Sequence, residues 1–129
     1  MFPSAPERTI TAWKGDPRRQ NLTRGWLDYL CEPLIYSKEY EDIPEYVDGI
    51  KQSVKHLDAF IQSEIDSGIP EGRIALGGFS QGGAISLITG LGGSQWRDVT
   101  KDGWRLGGVV CLGGWLPVRE KMVRAIFRQ

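Results

Sequence analysis

Gly78-Phe79-Ser80-Gln81-Gly82 lies between two apolar runs, Ile74-Ala75-Leu76-Gly77 before it and Ala84-Ile85-Ser86-Leu87 shortly after it. Few short stretches restrict a fold as strongly. A strand that enters a glycine-flanked serine and leaves as a helix matches the Gly-x-Ser-x-Gly turn, whose strained backbone exposes one hydroxyl at a sheet edge. Small residues at 78 and 82 let strand and helix approach closely enough to make that turn. The amino end of the helix points N–H groups without helical partners at the same spot. The Gln81 N–H is thereby placed to stabilise an oxyanion, and such a donor is typically worth about 3 kcal/mol in the barrier. The glycines do not spell Gly-x-Gly-x-x-Gly, and no Lys-Ser or Lys-Thr follows, so a phosphate loop is excluded. The plain alternative is a glycine-rich turn with an incidental serine. The strand before it and the helix after it favour the nucleophile.

The flanking pattern supplies those elements. Val47, Ile50, Val54, Leu57, Ile61 and Ile65 recur at steps of three and four, the mark of a helix with one buried face. Asp42 and Glu45 resemble a capping box, with Pro44 tolerated in the first turn. Gly68 and Pro70 supply the stop. Residues 73 to about 77 read as a short buried strand, 81 to 91 as a buried helix, and 92 to 104 as a loop. A second buried strand is expected within 105–117, and a helix begins after it. Residues 1 to 40 read mostly as loop, with a short helix near 24–30. The helix–strand–helix–strand order over 42–129 implies an α/β fold with a parallel sheet.

Composition narrows the function classes. Lys plus Arg equals Asp plus Glu, 16 of each among 129 residues, which argues against a dedicated nucleic-acid binder. Arg18, Arg19 and Arg24 read as a solvated basic loop. Cys31 and Cys111 stand far apart in no Cys-x-x-Cys pattern, so neither a disulfide framework nor a zinc site is expected. Cys111 reads as a core residue. The first residues do not read as a signal peptide, and no apolar run has the length of a membrane span. The expected compartment is the cytoplasm.

With these elements in place, residues 68–87 resemble the acyl-protein thioesterases and their phospholipase/carboxylesterase relatives, within the α/β-hydrolase superfamily. The Gly-Phe-Ser-Gln-Gly-Gly-Ala core, residues 78–84, is far more specific to this branch than Gly-x-Ser-x-Gly alone. Residues 2–11 resemble the family's segment after an earlier strand. Gly25-Trp26-Leu27-Asp28 resembles its Trp-Phe-Asp motif, and Trp115-Leu116-Pro117 its Trp-Leu-Pro. The resemblance implies that residues 1–129 form a single partial α/β-hydrolase domain, a short parallel sheet flanked by helices. It implies a serine hydrolase of esters and thioesters acting on acylated proteins, lysophospholipids or small esters, with no metal or organic cofactor. Ser80 would be the nucleophile and Gln81 a backbone oxyanion donor. Trp115 and Leu116 would line the acyl groove, beside a role for each in the core.

The chain also departs from that family. Nothing here matches the family's strand ending in His-Gly, which carries a second oxyanion donor, or its later acid and base. A serine without a base is a poor nucleophile. The one histidine, His56, falls roughly 16 Å along the long helix from its start, on the side away from Ser80, and reads as a surface residue. Asp98 and Asp102 follow the helix that leaves Ser80 and are expected at the opposite edge. Glu120 is expected on the correct edge but completes no triad without an imidazole. The expectation is a truncated hydrolase, weakly active or inactive alone. The rival from another class is a non-enzymatic remnant or a fragment that needs a partner chain. A dienelactone-type hydrolase is a further alternative, disfavoured by serine where those relatives often carry cysteine.

Overall fold

The structure, a computed structural model, describes residues 2–16, 18, 23–28, 43–92, 96 and 103–126. Its centre is a strand–helix–strand unit: β3 (Ala75–Phe79), α2 (Gln81–Leu91) and β4 (Gly108–Leu112). The two strands pair in parallel, Ala75 opposite Gly108 through Phe79 opposite Leu112. Before them come a short antiparallel ladder of β1 (Glu7–Arg8) with β2 (Thr23–Arg24), and the long helix α1 (Pro44–Asp66). After them comes α3 (Arg119–Ile126). This is the α/β order expected from the alternation of patterns.

Helix α1 follows its apolar stripe. Ile50, Val54, Leu57 and Ile61 are buried, and Val47 and Ile65 at the two ends are half-buried. Its start differs from expectation. Pro44 opens the helix after Ile43, which makes no side-chain cap. Asp42 lies outside the described residues. Proline suits that first position because its missing N–H would have had no helical partner. The stop is as expected: Gly68 takes φ +98°, and its N–H donates to Ile65 O at 2.9 Å while Ile69 N–H donates to Glu64 O at 3.1 Å. That is the paired bonding of a Schellman cap, which favours glycine.

Helix α2 is apolar on nearly all sides because it is covered on nearly all sides. One side rests on the sheet. The other meets α1 and α3 in a core of Tyr46, Ile50, Val54, Leu57, Ala84, Ile85, Ile88, Val118 and Met122, joined by Leu27 and Trp96. The main apolar core thus lies among the helices.

Three expectations need correction. The first strand spans 75–79, two residues later than its apolar start suggested, because residues 71–73 form a 3-10 turn. Neither strand is buried on both faces. Leu76, Gly78, Val109 and Cys111 face α2, whereas Phe79, Val110 and Leu112 are 75%, 52% and 60% exposed. Parallel strands are buried on both sides only where helices cover both, and among the described residues α2 covers one. Finally, no helix forms over 24–28. Arg24 belongs to β2, and 25–28 is irregular, its backbone groups taken by side chains from elsewhere. Tyr29, Leu30 and Cys31 lie outside the described residues, as does Arg19. Arg18 and Arg24 are exposed and pair with Asp16 and Glu7, as a solvated loop requires. Among the described residues no helix is long and apolar enough to cross a membrane.

The helical core and the open sheet face should answer mutation differently. Ile50→Ala is expected to cost about 2–5 kcal/mol in urea unfolding, because the site is fully buried. Leu112→Thr should stay within about 0.5 kcal/mol, since it changes an exposed position and keeps strand propensity. Equal losses would contradict the burial pattern.

Candidate active site

Ser80 is the single residue between β3 and α2. Its N–H donates to Leu112 O at 2.9 Å, carrying the parallel pairing one step past Phe79. Its carbonyl accepts from the Ala84 N–H at 3.0 Å, the first bond of the helix. The chain must change direction within one residue, and Ser80 takes φ 53° and ψ −121° to do so. Such a conformation costs a residue other than glycine roughly 1–3 kcal/mol. The hydroxyl makes no capping bond to α2.

Of the two glycines that flank Ser80 in the motif, the close approach falls on one. A Cβ at Gly78 would stand 2.1 Å from the carbonyl carbon of Gly82, a distance no side chain survives. A Cβ at Gly82 would meet nothing within 4 Å. The spacing expectation placed the need for small size on both; the structure places it on 78, because it is the backbone at 82 that Gly78 abuts.

A cleft of about 1110 Å³ opens at this point. Its floor follows β3 into the first turn of α2, from Ala75 to Gly82, and Trp13, Trp26 and Trp115 contribute aromatic surface. Ser80, Gln81 and Trp115 therefore meet at one cleft. Leu116 does not line it; its side chain packs against the helical core. The cleft is mostly apolar. Its one charged lining residue among those described is Arg24, which donates to Ala5 O at 3.0 Å and pairs with Glu7 at 3.3 Å. The amino end of α2 adds a partial positive charge beside Ser80. The helix end suits negative charge developing on an oxygen beside Ser80.

No imidazole or carboxylate is among the described lining residues. His56 is exposed on α1, its ring 5.9 Å from that of Trp26 and 5.1 Å from that of Phe60. Glu120 sits in the first turn of α3, 3.9 Å from the Arg124 guanidinium. Asp98 and Asp102 lie outside the described residues. Trp26 is among the cleft residues that sequence reasoning missed as such. Its segment has no periodicity, and only its place in a short motif hinted at a role.

The wall that carries Trp26 is braced from behind. Ser53 of α1, fully buried, donates its hydroxyl to Trp26 O, and Arg8 donates to Ser53 Oγ at 3.1 Å. Burial pushes the Arg8 guanidinium below its ordinary pKa, and the Asp28 carboxylate acts the other way.

Comparison with known proteins bears on this geometry. The Phospholipase/Carboxylesterase family model matches residues 36–128. Acyl-protein thioesterase 1 of Cryptococcus neoformans is 49% identical over 99 residues, which cover 77% of this chain and 36% of that protein. Acyl-protein thioesterase 1 of Yarrowia lipolytica is 42% identical over 122 residues, 93% of this chain and 44% of that protein. Among solved structures, Arabidopsis thaliana SOBER1 superposes with a TM-score of 0.61 at 27% identity, over 91% of this chain and 47% of that one. The chain thus spans less than half the length of these relatives.

Gly78 and Gly82 should separate cleanly in stability. Gly78→Ala is expected to cost about 3 kcal/mol or more, because backbone must move. Gly82→Ala should be neutral or gain up to about 1 kcal/mol from helix propensity. Urea midpoints decide, and a tolerated Gly78→Ala would contradict the close approach.

Proposed function

The chain belongs to the phospholipase/carboxylesterase family, and on that footing we propose that it is a serine hydrolase of carboxylic esters and thioesters with Ser80 as its nucleophile. One observation carries the reading. Ser80 alone joins strand to helix, at φ 53°, makes no side-chain capping bond, and lines the cleft. In this reading the Ser80 oxygen attacks the acyl carbonyl while its proton passes to water, which returns a proton to the leaving group. The tetrahedral oxygen takes a hydrogen bond from the Gln81 N–H, the first of α2, which has no partner inside its own helix. The thiolate or alkoxide departs and leaves an acyl-serine, which water then cleaves. The acyl chain lies along the cleft against Trp115 and Trp26. Leu116 is held to a packing role behind them. The substrate classes are acylated proteins, lysophospholipids and small esters, the place of action is the cytoplasm, and residues 1–129 act as one partial hydrolase domain.

A second part of the proposal concerns rate. The chain has one histidine, and it is not in the cleft. Ser80 then lacks an imidazole partner, and the chain alone is a slow enzyme. The same observation favours the rival reading, a non-enzymatic or partner-dependent fragment.

A fluorophosphonate probe distinguishes them. The expected outcome is slow labelling confined to Ser80, read by peptide mass, absent in Ser80→Ala and unchanged in His56→Ala. Folded protein that never forms the Ser80 adduct would favour the non-enzymatic reading. Labelling that disappears in His56→Ala would overturn the assignment of His56 to the surface.

A further inference from the structure

The Gln81 side chain does something its backbone N–H does not account for. Its carboxamide reaches a distant part of the chain and bonds it twice. Gln81 Oε1 accepts from the Trp26 N–H at 3.2 Å, and Gln81 Nε2 donates to Leu27 O at 3.0 Å. These partners are 55 and 54 residues away in sequence. Residues 25–28 form no helix or ladder, so their backbone polar groups need partners from outside. The segment is anchored at several points. Gly25 N–H donates to Pro6 O at 3.1 Å. The Asp28 carboxylate accepts from the Thr11 N–H at 2.7 Å and from its hydroxyl at 2.6 Å. Ser53 holds the Trp26 carbonyl. Of these anchors, only Gln81 ties the segment to the residue that follows Ser80.

The chemistry of the tether is specific. It needs one acceptor and one donor on the same planar group. A glutamate carboxylate offers only acceptors, methionine of similar length offers no donor, and asparagine is one methylene shorter. The tethered residue is also part of the cleft: Trp26 and Gln81 both line it. The Trp26 ring lies 5.9 Å from that of His56 of α1. With its amide and its carbonyl both bonded, Trp26 forms a fixed wall, and Gln81 sets that wall's distance from the elbow.

We propose that Gln81 is a positioning residue whose side-chain amide locks the Trp26–Leu27 segment, of which Trp26 lines the cleft, to the Ser80 turn and so fixes the fit of the acyl chain beside the nucleophile. The consequence for acyl fit rests on the hydrolase reading of Ser80; the tether itself does not.

Two measurements on the intact chain test it. The first is amide hydrogen exchange in wild type, Gln81→Ala and the near-isosteric Gln81→Met. Exchange at the Trp26 amide should rise about 5–10-fold on loss of its partner, while the Ile88 amide stays unchanged. The second is labelling by a short-chain and a long-chain alkyl fluorophosphonate. The ratio of long-chain to short-chain rate should shift about 5-fold or more in both variants. In Gln81→Glu that ratio should return toward wild type as acid protonates the carboxyl, which then again offers a donor and an acceptor. A role in packing alone would give no such recovery, because protonation leaves shape unchanged. Trp26 exchange in Gln81→Met equal to wild type would overturn the tether. Raised Trp26 exchange with an unchanged chain-length ratio would overturn its role in acyl fit. If wild type takes no label, the hydrolase reading fails and takes the acyl-fit claim with it, while the exchange data still decide the tether. If Gln81→Ala does not fold, Gln81→Met carries the test; if neither folds, Gln81 is a folding element and the positioning claim falls.

Discussion

The structure turns on a residue that finishes a strand and starts a helix at once. Ser80 gives its N–H to Leu112 and its carbonyl to Ala84. No spare residue separates the two bonds, so the backbone cannot relax between them. Its φ of 53° follows from that double duty, as does the demand for a glycine at 78. The turn also fixes where α2 begins, and with it where the first helical N–H groups point. One constraint therefore sets the Ser80 turn, the first helical N–H groups and the floor of the cleft together.

A strained turn persists only where its surroundings over-determine it. Here α2 is clamped on two sides. The strands hold it from one side, with Gly78 pressed against residue 82. From the other, Ile85 and Ile88 are sealed beneath Ile50, Val54, Val118 and Met122. Burial of one such side chain is worth about 1.5–3 kcal/mol, so a few of them outweigh the strain at one residue. The Gln81 side chain extends the same rigidity sideways to the Trp26 wall. The opposite sheet face contributes little to this, since Phe79, Val110 and Leu112 remain largely exposed.

Much of this was legible from residue order. The stripe from Val47 to Ile65 announced α1, Gly68 announced its end, and the glycine-flanked serine announced both the turn and the first residue of α2. Periodicity and glycine placement are local signals, and these elements are governed locally. What escaped was decided by contacts distant in sequence. The first strand began two residues late because a tight turn claimed residues 71–73. The long helix opens on Pro44 after Ile43, and the expected capping pair, Asp42 with the Glu45 side chain, lies outside the described residues. The segment at 25–28 looked helical in part, yet its carbonyls and amides are bound by Ser53 and Gln81, more than twenty residues away. Trp115 was picked out as a cleft residue from a short motif, whereas Trp26 enters through tertiary bonds that no periodicity records. The open sheet face was hidden as well, because an apolar run reads alike whether one or both of its faces are covered.

Backbone strain at Ser80 is the centre of the account, and comparing Ser80→Gly with Ser80→Ala by urea unfolding tests it most directly. Both remove the hydroxyl, but only glycine is free of the side-chain penalty at this φ and ψ. If the turn is strained, Ser80→Gly should be the more stable variant by about 1 kcal/mol, even after the greater entropy that glycine gives the unfolded chain. If Ser80→Ala is as stable as Ser80→Gly or more so, the residue sits in a relaxed loop and the account is wrong.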